Sequence, residues 1–117
     1  MGTDRYILDE HRNPVPCEGT LVWGRWLEEA SRDKSRFVKQ EDVDGGFWVS
    51  TVFLGLNLNF GGGRPLLFET MVFHKDSGMM DLAMDRYSTW EEAENGHAAM
   101  VERVKRGEVS KREEESE

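Results

Sequence analysis

The sequence contains a single cysteine and no long apolar run, so it lacks the residues for disulfide cross-links and for a membrane span. Cysteine occurs once, at Cys17, so neither an internal disulfide nor a cysteine-based metal cage can form. No stretch approaches the roughly 18 consecutive apolar residues of a membrane span, because polar residues and glycine interrupt even the longest apolar region, Phe47 to Leu58. The charged segment from Met1 to Glu10 also lacks the apolar run of a signal peptide. We therefore expect a protein of a reducing cytosol that does not cross a membrane.

Motifs that would bind a metal or a cofactor are absent as well. The chain has three histidines, and no two of them are spaced as in His-x-x-x-His or a similar metal site. The triplet Gly61-Gly62-Gly63 lacks the Lys-Ser/Thr pair of a P-loop and does not match a dinucleotide fingerprint. Cys17 lies outside any recognised catalytic cysteine motif. The sequence therefore predicts no metal and no cofactor, and it favours a protein without catalytic activity while leaving that question open.

Positive charge is scarce relative to negative charge. The chain has 23 acidic and 15 basic residues, which gives a formal net charge of −8. An acidic surface repels phosphate backbones, so we expect no direct binding of nucleic acid. Three interpretations of the acidity remain: it keeps the protein in solution, it complements a basic partner, or it imitates nucleic acid in the basic groove of a partner.

The apolar residues are sufficient for one packed domain, since four Trp and six Phe occur in 117 residues. Hydrophobic periodicity and turn residues predict the element order β-α-β-β-β-β-α. The predicted strands are Arg5–Leu8, Phe37–Val43, Phe47–Leu56, Leu66–Phe73 and Met80–Tyr87. Short turns between consecutive strands favour antiparallel pairing. The predicted fold is an α+β domain with an antiparallel sheet of four to five strands and two amphipathic helices on one face.

Both predicted helices have one apolar face. The first begins at Thr20, a residue suited to the N-cap, and ends near Ser31. The second follows Ser88 or Thr89, because either residue completes a capping box with the glutamate three positions later. The apolar stripes consist of Val22, Trp23, Trp26, Leu27 and Ala30 in the first helix, and of Trp90, Ala93, His97, Met100, Val101 and Val104 in the second. Gly107 is a typical helix stop, so we expect a folded domain over 1–107 and a disordered, charged tail over 108–117.

Several segments together resemble a family of small proteins encoded by tailed bacteriophages. The most specific is the run VSTVFLGLNLNFGGGRPLLFETMVF from Val49 to Phe73, followed by RYSTWEEAENGH from Arg86 to His97. The resemblance also includes YILDE near the start and WGRWLEEA from Trp23 to Ala30, so it covers most of the chain. The chain departs from the family in a longer connection from Phe73 to Asp85 and in its charged tail. The resemblance implies a protein that acts in the cytoplasm of an infected bacterium, and it implies no particular activity.

Polar residues on the central strands and on the second helix form one candidate site. His97 lies on the apolar stripe of its helix, where it is either a core histidine with a satisfied ring nitrogen or a general base or ligand that faces the sheet. Glu69 is the one carboxylate of its predicted strand, and it either faces solvent or is buried and able to act as an acid or base. Thr51, with Ser50 and Thr70, could line a pocket beside these two residues, although such residues are also ordinary in strands.

The connection from Asn57 to Pro65 is the second candidate site. It is longer than the two-residue turn that can join two such strands, and its three consecutive glycines cost entropy on folding. The candidate binding residues are Asn57, Asn59, Phe60, Gly61, Gly62, Gly63 and Arg64. Glycine exposes backbone amides that could bind an anion or the backbone of a partner. In the alternative interpretation, Leu58 and Phe60 tuck back into the core and the loop has no ligand.

These features favour a non-enzymatic binding module that acts on a host or phage protein. One concrete version is an inhibitor of a host nuclease or defence protein, with imitation of nucleic acid as a special case. Two alternatives stay open. The chain could bind a small molecule or a nucleotide, with or without catalysis, in a pocket between sheet and helices. It could also be a structural or assembly protein of the virion. We expect a protein partner, and the sequence does not predict an oligomeric state.

Overall fold

The structure is a computed structural model that describes residues 3–43 and 45–109. Its elements in chain order are β1 (Tyr6–Leu8), β2 (Pro14–Pro16), α1 (Thr20–Arg32), β3 (Phe37–Val43), β4 (Phe47–Phe53), β5 (Phe68–His74), β6 (Met80–Tyr87) and α2 (Trp90–Lys105). The predicted α+β class and antiparallel sheet are confirmed. The element order differs from the predicted one by a single added strand, β2.

Strands β1 and β2 form a separate two-stranded antiparallel sheet. The sequence did not predict β2, because Pro14 and Pro16 cannot donate backbone hydrogen bonds. A strand that pairs on one side only tolerates such residues. In the turn between the two strands, the Asp9 carboxylate accepts hydrogen bonds from two backbone N–H groups. Arg12 in the same turn adopts a left-handed φ of 68°.

Strands β3 to β6 form a four-stranded antiparallel meander in the order β3-β4-β5-β6. Thr51 in β4 lies opposite Thr70 in β5, which fixes the register of the two central strands. Because side chains alternate along a strand, each strand contributes to two faces. One face, called here the inner sheet face, carries the buried residues Val49, Thr51, Phe53, Phe68, Thr70 and Val72. The opposite face is the outer sheet face.

Helix α2 crosses the inner sheet face and contacts all four of its strands. The predicted apolar stripe is confirmed, since the buried residues of the helix are Ala93, His97, Met100, Val101 and Val104. Thr89 is the N-cap, and its side chain accepts a hydrogen bond from the Glu92 N–H at 3.1 Å. The Glu92 carboxylate accepts in return from the Ser88 N–H at 3.1 Å. Of the two predicted capping boxes, the one formed by Thr89 and Glu92 therefore marks the start of the helix.

Helix α1 packs beside β1 and against one end of the inner sheet face. Trp26 meets Phe53 edge-on, with ring centroids 5.7 Å apart, and Trp23 Nε1 donates to a backbone carbonyl of the loop after β4 at 3.0 Å. Two details of the prediction are wrong. The N-cap is Gly19, which forms no side-chain cap. Val22 is exposed. Consecutive residues of a helix are about 100° apart around its axis, so Val22 points away from the side on which Trp23 packs.

The core consists of two clusters on the inner sheet face. The first contains Leu8, Phe53, Leu67, Phe68 and Ala93, and the second contains Val43, Val49, Val72, Met100, Val101, Val104 and Val109. Val109 lies two residues past the predicted domain boundary, yet its side chain is buried. The folded part of the chain therefore extends at least to residue 109. The rest of the predicted tail, 110–117, lies outside the described residues.

Candidate functional site

The loop between β4 and β5 is held together by its two asparagines. The side-chain oxygen of Asn57 accepts hydrogen bonds from the backbone N–H groups of Asn59, at 2.9 Å, and of Leu66, at 3.0 Å. The Asn59 side chain donates to the Arg64 carbonyl at 2.8 Å and accepts from the Gly61 N–H at 3.3 Å. These bonds join the two ends of the loop and close its tip. The predicted loop residues therefore form one connected structure.

Phe60 stands at the tip of this loop with 88% of its surface exposed. The interpretation in which Leu58 and Phe60 both tuck into the core is therefore wrong for Phe60, while Leu58 is half-buried. Gly62 and Gly63 have φ angles of 87° and 93°, a region that residues with a side chain rarely adopt. A methyl group on Gly62 would meet no atom within 4 Å. The backbone conformation, and not a close approach, therefore requires glycine there.

The loop is anchored beside the first turn of α2. Arg64 forms an ion pair with Glu92, with 3.0 Å between Nη2 and Oε2, and the Ser88 hydroxyl donates to the Pro65 carbonyl at 2.5 Å. A hydrogen bond from the Ser88 backbone N–H, and then the Arg64 guanidinium, lower the pKa of Glu92. The neighbouring Glu91 is exposed. The loop therefore adjoins an acidic helix start.

The three residues predicted to line a pocket do not share one face of the sheet. Thr51 Oγ1 lies 2.6 Å from His97 Nδ1, so these two residues are in direct contact. Thr70 lies opposite Thr51, and the alternation of side chains turns its neighbour Glu69 to the outer sheet face. Glu69 is buried there and accepts a hydrogen bond from Arg86 Nε at 2.9 Å. The prediction of one pocket that includes Glu69 is therefore wrong.

Thr51 and His97 belong to a chain of hydrogen bonds that runs through the core. The Tyr87 hydroxyl donates to Thr70 Oγ1 at 3.1 Å, and Thr70 Oγ1 lies 2.5 Å from Thr51 Oγ1. At the other end, His97 Nε2 lies 2.8 Å from Glu41 Oε1. This set of five side chains, called here the polar chain, links one residue from each strand of the main sheet to α2.

One arrangement of protons satisfies every link of the polar chain. Because Tyr87 donates to Thr70, the Thr70 hydroxyl can donate to Thr51, and the Thr51 hydroxyl can donate to Nδ1 of His97. His97 is then neutral and donates its Nε2 proton to the Glu41 carboxylate. Burial lowers the pKa of His97, and the hydrogen bond from His97 lowers the pKa of Glu41. Both directions favour the same neutral imidazole and charged carboxylate.

The order hydroxyl, imidazole and carboxylate is also the order of a serine-protease triad. Catalysis by such a triad requires a hydroxyl that a substrate can reach. Thr51 is fully buried, and His97 is 2% exposed, so a substrate can approach neither of them. Of the two interpretations of His97, the structure therefore supports a core histidine. Both of its ring nitrogens have a hydrogen-bond partner, Thr51 for Nδ1 and Glu41 for Nε2.

Sequence reasoning missed Glu41 and Tyr87 as members of the polar chain. Glu41 and His97 are 56 positions apart, and no local pattern connects a strand to a helix over that distance. A glycine inside α2, Gly96, could have indicated the position of Tyr87. A Cβ atom at Gly96 would overlap the Tyr87 ring, so this glycine inside α2 marks where a bulky side chain lies against the helix.

A groove of about 460 Å³ opens between the two helices, the start of β3 and the β1–β2 turn. Its lining includes the aromatic residues Trp26, Phe37 and Trp90 together with the cations Arg12 and Lys34. The Arg12 guanidinium lies 4.7 Å from the centre of the Trp90 ring. None of the predicted pocket residues lines this groove. The predicted pocket and the observed groove are therefore different places.

Within residues 3–43 and 45–109, no group of three or more His, Cys, Asp or Glu side chains could hold a metal ion. In the same part of the chain, no helix has the length and apolar character needed to span a bilayer. In comparisons with protein-family models, curated proteins and solved structures, no match to this chain is found. Accessible features of the described residues that could bind another molecule include the loop, the groove and the outer sheet face.

Proposed function

We propose that this protein is a non-enzymatic binding module that recognises another protein through the loop 57–65. The observation that carries the proposal is Phe60, a large aromatic side chain that is 88% exposed at the loop tip. The hydrogen bonds of Asn57 and Asn59 hold the loop in shape before any partner arrives. An aromatic side chain on a preorganised loop can fill a pocket of a partner at a small ordering cost.

The partner that fits this surface is a protein with an apolar pocket on a basic surface. Glu91 and Glu92 lie in the first turn of α2, which the loop adjoins through the ion pair of Arg64 with Glu92. The whole chain carries a net charge of −8. Basic residues around the partner's pocket would be attracted to this surface, and such complementarity speeds encounter and aids specificity.

The sealed core supports binding over catalysis. The polar chain contains hydroxyl, imidazole and carboxylate groups that can transfer protons, but Thr51 and His97 are buried, so no substrate can reach them. A general base must come within hydrogen-bond reach of the proton that it abstracts. The loop, by contrast, is accessible and contains no pair of groups in a nucleophile–base arrangement.

The resemblance to small proteins of tailed bacteriophages supplies the setting of the proposal. We propose the cytoplasm of an infected bacterium as the place of action, and a host or phage protein as the partner. A host nuclease or a nucleic-acid-binding defence protein fits this chemistry, because its basic groove is complementary to an acidic surface.

Replacement of Phe60 by alanine tests the proposal. Immobilised wild-type protein and the Phe60→Ala variant are incubated with host lysate, and the captured proteins are identified and then titrated. We expect a partner that binds the wild type and loses at least about tenfold in affinity with the variant. The melting temperature should not change, because the exposed ring adds little to stability.

Met79→Ala is the matched control, since Met79 is 64% exposed and lies in the β5–β6 turn. This variant should keep the partner with unchanged affinity. If Phe60→Ala binds the same partner as tightly as the wild type, the loop tip is not the binding site. Arg64→Glu is a less direct test, because it also breaks the ion pair with Glu92.

A second candidate function, binding of a small molecule, is supported by the groove. Arg12 and Lys34 both have left-handed φ angles, 68° and 69°, and such conformations are uncommon and cluster at functional sites. The buried indole nitrogen of Trp90 has no hydrogen-bond partner in the described part of the chain. A thermal-shift screen with nucleotides and aromatic acids tests this candidate. Stabilisation of the wild type but not of Arg12→Ala would support it, and no shift with any compound would dismiss it.

A further inference from the structure

The polar chain contains three hydroxyl groups in a row that end on an imidazole. The Tyr87 hydroxyl lies 3.1 Å from Thr70 Oγ1, and Thr70 Oγ1 lies 2.5 Å from Thr51 Oγ1. Thr51 Oγ1 lies 2.6 Å from Nδ1 of His97. Both threonines are fully buried. A hydroxyl group carries a single proton to donate, so the direction of one hydrogen bond in this row constrains the direction of the next.

When His97 is neutral, every hydroxyl proton of the row points toward α2. Nδ1 of the neutral ring has a lone pair and accepts from Thr51, while Nε2 donates to Glu41. Thr51 accepts from Thr70, and Thr70 accepts from Tyr87. Each donor of the polar chain then has an acceptor, and the row begins at the tyrosine.

Protonation of His97 makes this direction impossible. Nδ1 of the charged ring is a donor, so Thr51 must accept from it and turn its own proton toward Thr70. Because two protons cannot lie between the same pair of oxygens, the Thr70 proton turns toward Tyr87. The Tyr87 proton must then point away from Thr70. The charged ring therefore adds one donor to the row, and reversal of the row moves the surplus donor to the tyrosine.

Tyr87 can hold a surplus donor at a lower cost than the core can. Thr70 has no exposed surface, whereas Tyr87 is half-buried and belongs to β6, the last strand in the order of the sheet. A donor without an acceptor costs more free energy where water cannot reach it. Burial, and then the negative charge of Asp85, raise the pKa of Tyr87, so its hydroxyl keeps the proton that the reversed row requires.

The charged groups that act on His97 come from β3. They are Glu41, which accepts from Nε2, and Lys39, whose Nζ lies 3.6 Å from the same carboxylate. Strands β4, β5 and β6 contribute only hydroxyl groups to the polar chain. At the tyrosine end, Asp85 and Arg103 lie 3.8 Å apart, and their charges have opposite effects on the phenol. Between its two ends the row is therefore uncharged, and only hydrogen-bond direction connects them.

We infer that the polar chain is a pH-sensitive relay with two orientations, in which protonation of His97 reverses all three hydroxyl groups. The relay couples the imidazole, which contacts β3, to the Tyr87 hydroxyl on β6 at the other end of the strand order. Such coupling is reciprocal, so removal of the tyrosine hydroxyl changes the proton affinity of the histidine. Tyr87 is thus a positioning residue for His97. The inference is independent of the proposed function, which uses the loop 57–65.

NMR titration of the His97 ring nitrogens in three proteins tests the relay. In the wild type, the neutral ring should carry its proton on Nε2. Tyr87→Phe leaves the surplus donor of the charged state on the buried Thr70, so the pKa of His97 should be about one pH unit lower than in the wild type. Tyr6→Phe is the matched control, because Tyr6 is the other tyrosine of the chain and lies outside the polar chain. It should leave the pKa of His97 unchanged.

A double substitution separates the relay from a direct effect of the tyrosine. Thr51→Val interrupts the row, so the addition of Tyr87→Phe to that variant should not change the pKa of His97. If Thr51→Val is misfolded by circular dichroism, Thr70→Val interrupts the row at the next link. Four results would each overturn the inference. They are a neutral ring with its proton on Nδ1, a wild type that unfolds before His97 titrates, an equal pKa in the wild type and Tyr87→Phe, and an effect of Tyr87→Phe that persists in the interrupted row.

Discussion

The two faces of the main sheet satisfy their polar side chains in different ways. On the inner sheet face, Thr51 and Thr70 belong to the polar chain, which continues through His97 to Glu41, and all three of Thr51, Thr70 and His97 are buried between the sheet and α2. On the outer sheet face, Glu69 is paired with Arg86 at a surface that neither α1 nor α2 covers. Neighbouring residues of the same strands therefore build a closed interior on one side and an accessible surface on the other.

This difference shows that residue type alone does not mark the functional surface. The His97 imidazole and its hydroxyl and carboxylate partners are groups that often act in catalysis. Here His97 and Thr51 are buried, so they have a structural role. Met84 and Phe60 belong to types that usually fill cores, yet both are exposed. Accessibility decides between the two cases, because binding and catalysis both require contact with another molecule.

The strongest test of the contrast compares two methionines. Met100 belongs to α2 and is fully buried against the inner sheet face, whereas Met84 is exposed on the outer sheet face. Met100→Ala should lower the free energy of unfolding by about 2–5 kcal/mol, because it leaves a cavity in the core. Met84→Ala should change it by less than about 1 kcal/mol. Urea denaturation measures both values, and equal losses in the two variants would contradict the distinction between the faces.

A second test asks how far the inner core extends along the chain. Val109 packs in the same cluster as Met100, so truncation after Gly107 should cost about 1.5–3 kcal/mol, the value for burial of a valine side chain. Truncation after Val109 should leave the melting temperature nearly unchanged, since the segment that it removes has no apolar side chain. Equal stability of both truncated proteins would show that Val109 adds nothing to the core.

A third test compares a hydroxyl group from each face. Thr51→Val keeps the shape of the side chain but leaves Thr70 and His97 without their shared partner, which should cost about 1–3 kcal/mol. Ser50→Ala removes a hydrogen bond from Gln40, an exposed side chain that can bond to water instead. We expect a loss below about 1 kcal/mol for that variant. A larger loss from Ser50→Ala than from Thr51→Val would reverse the contrast.

The elements that sequence could predict are those with a strong local signal. For helix α2 the sequence predicted a cap at Ser88 or Thr89 and an apolar stripe that includes His97; Thr89 is the N-cap and the stripe is buried. Strand β2 was missed because its prolines argue against strand pairing, and only the local partner strand makes them acceptable. At the start of α1, Val22 has the right residue type for the core, but no element of the described chain packs over it.

The candidate sites were harder to predict, because they depend on contacts between distant segments. Alternation along β5 could have shown that Thr70 and Glu69 face opposite sides, so that only one of them can meet His97. The partner Glu41 lies in another element, 56 positions from His97, and nothing in either local pattern indicates the contact. The exposure of Phe60 depends on side-chain bonds within the loop, which composition alone does not specify.

The smallest expected effect is a pH dependence that the buried imidazole of the inner sheet face produces. Burial lowers the pKa of His97 in the folded protein below its ordinary value of 6.5. The unfolded chain therefore takes up a proton first as the pH falls, and stability that is fully present above pH 6.5 declines below it. The pKa of the Glu41 carboxylate is also lowered, from 4.5, so protonation of this group at lower pH reduces the stability of the folded protein further.

Urea denaturation between about pH 7.5 and pH 5.5 should show this decline in the wild type and in the control variant His11→Gln. His11 is an exposed residue of the β1–β2 turn. The decline should be weaker in His97→Gln, because that variant lacks the buried imidazole; an identical slope in all three proteins would place the sensitivity elsewhere.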